Sequence, residues 1–234
     1  MNQCDTSVGY GNHPDSVGGV TLDAMIMDGQ TFNVGSVGFV SKYRNAATLA
    51  RLVMDYTSHT LLVGEGAEAF AHMMGVPMQN TVTNQSLQVY TSWVNDSCQP
   101  NFYANLDGSD DSCPPYAAPV SSEFLTTHDS GASSKVSQPL SVAAKVWATP
   151  DNHDTIGMVA VDAAGHMACG TTTNGANHKV QGRVGDSPIA GKPCPPSSCM
   201  PSCCIVGIVV YILHLIFIIL LLLSSSLCGT SFGT

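Results

Sequence analysis

Residues 153–191 read HDTIGMVAVDAAGHMACGTTTNGANHKVQGRVGDSPIAG, and the rest of the chain is organised around how Thr155 is used there. Two short apolar-rich runs, Ile156–Asp162 and His166–Thr171, flank Ala163-Ala164-Gly165 and predict a β-hairpin. Thr155 then stands at the start of a central strand. A β-branched residue is at home in that place simply as a strand former. The alternative is chemical. A threonine hydroxyl becomes a useful nucleophile when a base takes its proton, and a chain-starting threonine carries that base as its own α-amino group. Thr155 is internal, so this use requires cleavage of the Asp154–Thr155 bond. The amine so released would titrate at roughly 7.7 to 8.0, close to working pH, whereas a peptide nitrogen is not basic.

Upstream, Leu22–Asp28 and Thr31–Val37 flank Gly29-Gln30 and predict another hairpin, with Met25-Ile26-Met27 suggesting a strand buried on both faces. From the N-cap residue Asn45, Ala46, Leu49, Ala50, Val53 and Met54 recur at helical spacing to about Tyr56. His59–Val63 reads as a short strand and Glu65–Met74 as a helix closed by Gly75, with Pro77 beyond. Strands alternating with helices give an α/β (α+β) layer arrangement. From Val76 to Trp147 the pattern weakens into Ser, Asn, Asp, Pro and Gly, which predicts mostly surface loop.

The 234 residues suffice for one domain with a sizeable core. Residues 1–191 hold all 17 acidic groups and seven of the eight basic ones, a net charge of −10. An acidic body without a basic cluster excludes nucleic acid as the natural partner, because phosphates demand Lys and Arg. A small molecule fits better. Two glycosylation sequons, Asn84-Gln85-Ser86 and Asn95-Asp96-Ser97, are compatible with an oxidising lumen, although such triplets also arise by chance. No charged-then-apolar signal segment opens the chain at Met1.

The motifs His153-Asp154-Thr155-Ile156-Gly157-Met158, Gly170-Thr171-Thr172-Thr173-Asn174-Gly175 and Gly182-Arg183-Val184-Gly185-Asp186-Ser187-Pro188-Ile189 resemble, in order and spacing, those of the glycosylasparaginases. These belong to the N-terminal-nucleophile hydrolases, together with the plant-type asparaginases. The resemblance extends upstream through Cys4-Asp5-Thr6-Ser7-Val8-Gly9, Thr21–Gly29 and His59–Glu65, covering about residues 3 to 191. It implies a partial four-layer αββα sandwich in which residues 1–154 form an α-chain-like part and residues 155–191 the start of a β-chain-like part. It also implies autoproteolysis at Asp154-Thr155, with His153 accessory.

By the same resemblance Thr155 is the nucleophile and the Thr173 hydroxyl lies near it; Thr171 and Thr172 read equally well as plain strand residues. Arg183 and Asp186 would hold the α-carboxylate and α-ammonium of an asparagine head through charge-assisted bonds. By themselves, three apart in a turn, they read as a surface ion pair worth less than ~1 kcal/mol. Ser7 aligns with an active-site serine, although Thr6 replaces the usual glycine before it. A Cys98–Cys113 disulfide is implied too, leaving Cys4 and Cys169 unpaired. The implied reaction is hydrolysis of the GlcNAc-asparagine linkage, with L-asparaginase or isoaspartyl peptidase activity as the alternative. It needs no metal or organic cofactor. The family setting is lysosomal or secretory, with oligomers of cleaved chains.

After Gly191 the resemblance ends. Residues 192–234 run through a Pro- and Cys-rich linker into Ile205–Leu223, nineteen residues without a charged group other than the titratable His214. At ~1.5 Å per residue this approaches a ~30 Å hydrocarbon core, so it is a transmembrane candidate. The spacing of Cys194, Cys199, Cys203 and Cys204 lacks a paired C-x-x-C and does not favour zinc. Where the family continues with a Gly-rich loop and the Thr-Gly pair of its oxyanion hole, this tail has neither. The expectations are therefore an inactive chain, a splice or gene-model variant, or a membrane-tethered protein.

Overall fold

The computed structural model describes residues 8–104, 106–117 and 155–190. The hydrophobic tail Ile205–Leu223, the cysteines around it, Cys4, Ser7, His153 and Asp154 lie outside the described residues. Among those described, no helix is long and apolar enough to cross a membrane.

Among the described residues five strands form one mixed sheet. They are β1 (Leu22–Asp28), β2 (Val34–Val40), β3 (Leu61–Val63), β4 (Ile156–Val161) and β5 (Met167–Thr173), in the order β3-β2-β1-β5-β4. The β2/β3 pair is parallel and the others antiparallel. The described residues also form three helices, α1 (Ala46–Tyr56), α2 (Gly64–Met73) and α3 (Asn84–Asn95).

The alternation of side chains across the sheet decides its two faces. Leu22, Ala24 and Ile26 point to one face with Val37, and α1 covers them with Leu49, Ala50 and Val53. Ala67 and Ala71 of α2 complete this cluster. Asn45 caps α1 as its sequence position suggests, accepting a bond from the Thr48 N–H at 3.3 Å. The buried Glu68 carboxyl ties α2 to the end of β2 through the Ser41 N–H (2.9 Å) and hydroxyl (2.7 Å) and an ion pair with Lys42 (2.9 Å).

The first hairpin differs from its sequence reading in its turn. β2 begins at Val34 rather than Thr31, because the Asp28 carboxyl captures the Gln30 N–H and the Thr31 hydroxyl, both at 2.9 Å. Those residues become an Asx-type turn rather than strand. Opposite Asp23, β2 carries one residue more than β1, since Leu22 pairs with Val40 but Ala24 with Val37. This bulge places Phe39 at φ 54°.

Among the described residues β4 is the edge of the sheet, not a central strand, with only β5 beside it. Residues 84–95, expected to be loop, form α3. Its start is a capping box of Thr83 and Ser86, each side chain bonded to the other's backbone N–H. The helix buries only Ser86 and Trp93, so its sequence shows little apolar periodicity. Beyond it Cys98 and Cys113 are disulfide-bonded across a separation of 15 residues, as the resemblance implied. Cys169 is free and buried.

Packing of α1 on the sheet depends on Gly35. A methyl group there would sit 2.1 Å from the Ala50 carbonyl oxygen and 2.4 Å from the Met54 nitrogen, both backbone atoms of α1. Gly35→Ala is expected to destabilise the protein by about 1–3 kcal/mol, as overpacking does. Gly66→Ala in α2, where nothing lies within 4 Å, is expected to be neutral or stabilising. Thermal unfolding of the two variants side by side checks the contrast.

Candidate functional site

The face of the sheet opposite α1 is polar at one end. Asp23 on β1 pairs in register with Thr173 on β5, and Ile156 on β4 pairs with Thr172. Continuing that ladder by one residue puts Thr155 beside Thr173, so Asp23, Thr173 and Thr155 form a row across three adjacent strands. Directly opposed residues in antiparallel strands share a face. At ~4.8 Å between strands the row spans about 10 Å.

Residues 174–190 return across this row. The Thr155 hydroxyl lies 3.1 Å from the Ser187 hydroxyl, and the Thr171 hydroxyl donates to the Ser187 carbonyl at 2.5 Å. One strand further on, the Gly185 N–H donates to Asp23 Oδ2 at 2.8 Å. Val184 then reaches β2, where a methyl group on Gly38 would meet its Cγ1 at 2.8 Å. Ser187, Gly185 and Val184 thus stand over β4/β5, β1 and β2 in turn. The other oxygen of the buried Asp23 carboxyl takes the Phe39 N–H of the bulge at 2.9 Å.

The turn into this segment is built around two cations. Gly175, at φ 78°, donates its N–H to the Thr173 hydroxyl at 2.8 Å. A methyl group on Gly175 would come within 2.8 Å of Lys179 Nζ and 3.1 Å of Arg183 Nη1, and one on Gly185 within 3.0 Å of the same Arg183 nitrogen. The Arg183 guanidinium therefore rests against both glycines, a contact that any side chain there would obstruct. Lys179 is 1% exposed, and its ammonium donates to the Asn174 carbonyl at 2.6 Å and the Thr21 carbonyl at 3.1 Å. The N-terminal loop closes over the same turn. His13 bonds the Gly175 carbonyl at 2.8 Å, and the Ser16 N–H donates to the Lys179 carbonyl at 2.8 Å.

Of the residues singled out from sequence, Thr155, Thr173, Arg183 and Asp186 all lie on or beside this end of the sheet. Sequence reasoning passed over Asp23, Ser187 and Lys179. Asp23 sits in a strand-like run where a buried carboxyl breaks the apolar pattern, a signal that could have been used. Ser187 offered none beyond membership of the Gly182–Ile189 motif. Cys169 shares the face with Thr171 and Thr173, but burial pushes its thiol up to about 11, which leaves it unreactive. Among the described residues no group of His, Cys, Asp and Glu could hold a metal ion. An open groove of about 400 Å³ lies apart from Thr155, between α3 and His178.

A hydroxyl at a strand end, a second hydroxyl in register beside it and a cation folded back near the row thus lie together at this end of the sheet. The sequence model of the asparaginase family matches residues 1–204. A putative N(4)-(beta-N-acetylglucosaminyl)-L-asparaginase of Drosophila sechellia is 43% identical over 190 residues, 81% of this chain and 46% of its own length. The rat N(4)-(beta-N-acetylglucosaminyl)-L-asparaginase is 42% identical over 190 residues, 81% of this chain and 50% of the rat protein. A probable isoaspartyl peptidase/L-asparaginase of Arabidopsis thaliana is 42% identical over 81% of this chain and 52% of its own. The chain belongs to the asparaginase family, within the N-terminal-nucleophile hydrolases. It spans about half the length of the curated relatives it matches.

The 174–190 segment is held at its far side by His178, whose ring stacks on Trp93 at a centroid distance of 4.5 Å and an interplanar angle of 8°. Burial lowers the His178 pKa from 6.5 to about 4, with the nearby His13 adding to the effect. Since the folded value lies below the unfolded one, protonation favours the unfolded chain. The stability that neutral His178 contributes is complete above about pH 6.5 and is lost as pH falls through about 4. His178→Phe keeps a ring against Trp93 and removes the proton site. Melting temperatures measured across this window should fall less steeply for the variant than for the parent.

Proposed function

We propose that this chain carries the nucleophile-bearing half of an amidohydrolase that cuts the bond between N-acetylglucosamine and asparagine. The observation that supports this most directly is the Thr155 hydroxyl, held 3.1 Å from Ser187 and in register beside Thr173. Thr155 becomes a chain start by attack of its hydroxyl on the Asp154 carbonyl, with His153 accessory. Its freed α-amino group then takes the hydroxyl proton as Thr155 attacks the side-chain carbonyl of the substrate. Glucosaminylamine leaves, an aspartyl ester remains, and water releases aspartate. Thr173 supports the nucleophile. Arg183 takes the α-carboxylate, Asp186 the α-ammonium, and Ser7 contacts the substrate.

The architecture suits a partial four-layer αββα sandwich. The α1 side of the sheet is already layered, and the second sheet would stack on the opposite face. Residues 1–154 are the α-chain part, residues 155–191 the start of the β-chain part, and residues 192–234 a separate tail. The disulfide favours an oxidising compartment, secretory or lysosomal. Cleaved chains assembling as oligomers complete the reading.

Joining residues 1–190 to the remaining half of the rat relative gives the test. The chimera is expected to split at Asp154–Thr155 and to release aspartate from GlcNAc-asparagine, and Thr155→Ala should abolish both. Undiminished release by the Thr155→Ala chimera overturns the assignment. Arg183→Lys, which replaces a bidentate fork by a point charge, is expected to raise KM by roughly tenfold or more with little change in melting temperature. The name of the Arabidopsis relative favours a second reading. Larger kcat/KM for isoaspartyl dipeptides than for GlcNAc-asparagine would select it.

A further inference from the structure

The two sequons noted in the sequence both fall on α3, and the structure treats them differently. Asn84 and Asn95 are 11 residues apart, about 20° past three whole turns and about 16 Å along the axis, so they share one face. That face is open, since α3 turns Ser86 and Trp93 inward and leaves both asparagines exposed. Leu87 and Val94 run along its flank at 48% and 39% exposure.

The hydroxyl residues of the two triplets are not equivalent. Ser86 is 0% exposed, and its hydroxyl is engaged with the N–H and carbonyl of Thr83, both at 3.0 Å. Once α3 has formed, the Asn84 triplet cannot be read. Ser97 is exposed in the turn that ends the helix, at φ 54°, its N–H donating to the Val94 carbonyl at 3.2 Å. Asn95, Asp96 and Ser97 thus stay presented in the folded chain. The next residue, Cys98, is anchored by its disulfide, which itself calls for an oxidising lumen.

We propose that Asn95 is an N-glycan attachment site, occupied in preference to Asn84. This rests on the secretory routing proposed above. The donor is a lipid-pyrophosphate-linked oligosaccharide and the catalyst a membrane transferase of the lumen. The Asn95 Nδ2–C1 bond forms as the C1–O bond to the pyrophosphate breaks. The lipid pyrophosphate leaves with that electron pair, and one amide proton passes to a carboxylate base of the transferase. The attached sugar stands on the open face and screens Val94.

The test uses the full 234-residue chain behind a cleavable secretion leader in eukaryotic cells, with protease protection of intact vesicles to establish entry. Enzymatic deglycosylation in heavy-oxygen water converts each glycosylated asparagine to a labelled aspartate, which peptide mass spectrometry locates without any substitution. The expected result is label at Asn95 exceeding that at Asn84, lost from Asn95 in Ser97→Ala while Cys98–Cys113 remains bonded. A protected chain unlabelled at Asn95, or labelled more at Asn84, overturns the glycan proposal. A chain that stays unprotected even with the leader overturns the secretory reading beneath it.

Discussion

The Asp23 carboxyl is the constraint on which this end of the molecule depends. One oxygen takes the Phe39 N–H that the β2 bulge removes from the ladder, and the other takes the Gly185 N–H of the returning segment. A buried acceptor with two backbone donors is costly to disturb, because each N–H left without it would stay desolvated. Through this one side chain the irregularity of β2 and the path of residues 184–187 are fixed together. The bulge and the site are therefore one structure. Without the extra residue in β2, the Phe39 N–H would belong to the ladder and Asp23 would lose one of its two tasks.

The segment held in this way carries positive charge to a face whose own polar groups are the Asp23 carboxyl and the threonine hydroxyls. Lys179 is buried and solvated by backbone carbonyls, an arrangement that keeps its position well defined. Arg183 lies against Gly175 and Gly185 with a more open aspect. The inner cation is thus structural in character, and the outer one is the more exposed of the two. The spacing rests on glycine, since a methyl group at either position would occupy the space of the guanidinium.

α3 stands apart from this arrangement. Its inward residues meet loops, with the Trp93 indole N–H donating to the Pro100 carbonyl at 2.7 Å and its ring against His178. That stack links the region preceding the disulfide loop to the far side of the 174–190 segment. Solvent conditions that charge His178 would therefore be felt at both ends of the stack.

The sequence by itself determined β1, α1 and the second hairpin, because strong local signals coincide there: an Asn N-cap, helical apolar spacing, and Gly165 closing a short turn. Thr155, Thr173, Arg183 and Asp186 were named through the motifs shared with the family, since those motifs are contiguous and their order survives without coordinates. α3 was illegible, because a helix that buries one Ser and one Trp leaves no periodic trace. The Val34 start of β2 was hidden because Asp28 and Thr31 compete with the ladder through their side chains. Only the tertiary structure decided that Thr155 meets Ser187, 32 residues away, and that Asp23 meets Gly185, 162 residues away. Such pairings depend on strand register and on the path of a returning segment, and hydrogen-bonding partners set by register leave no mark in local sequence.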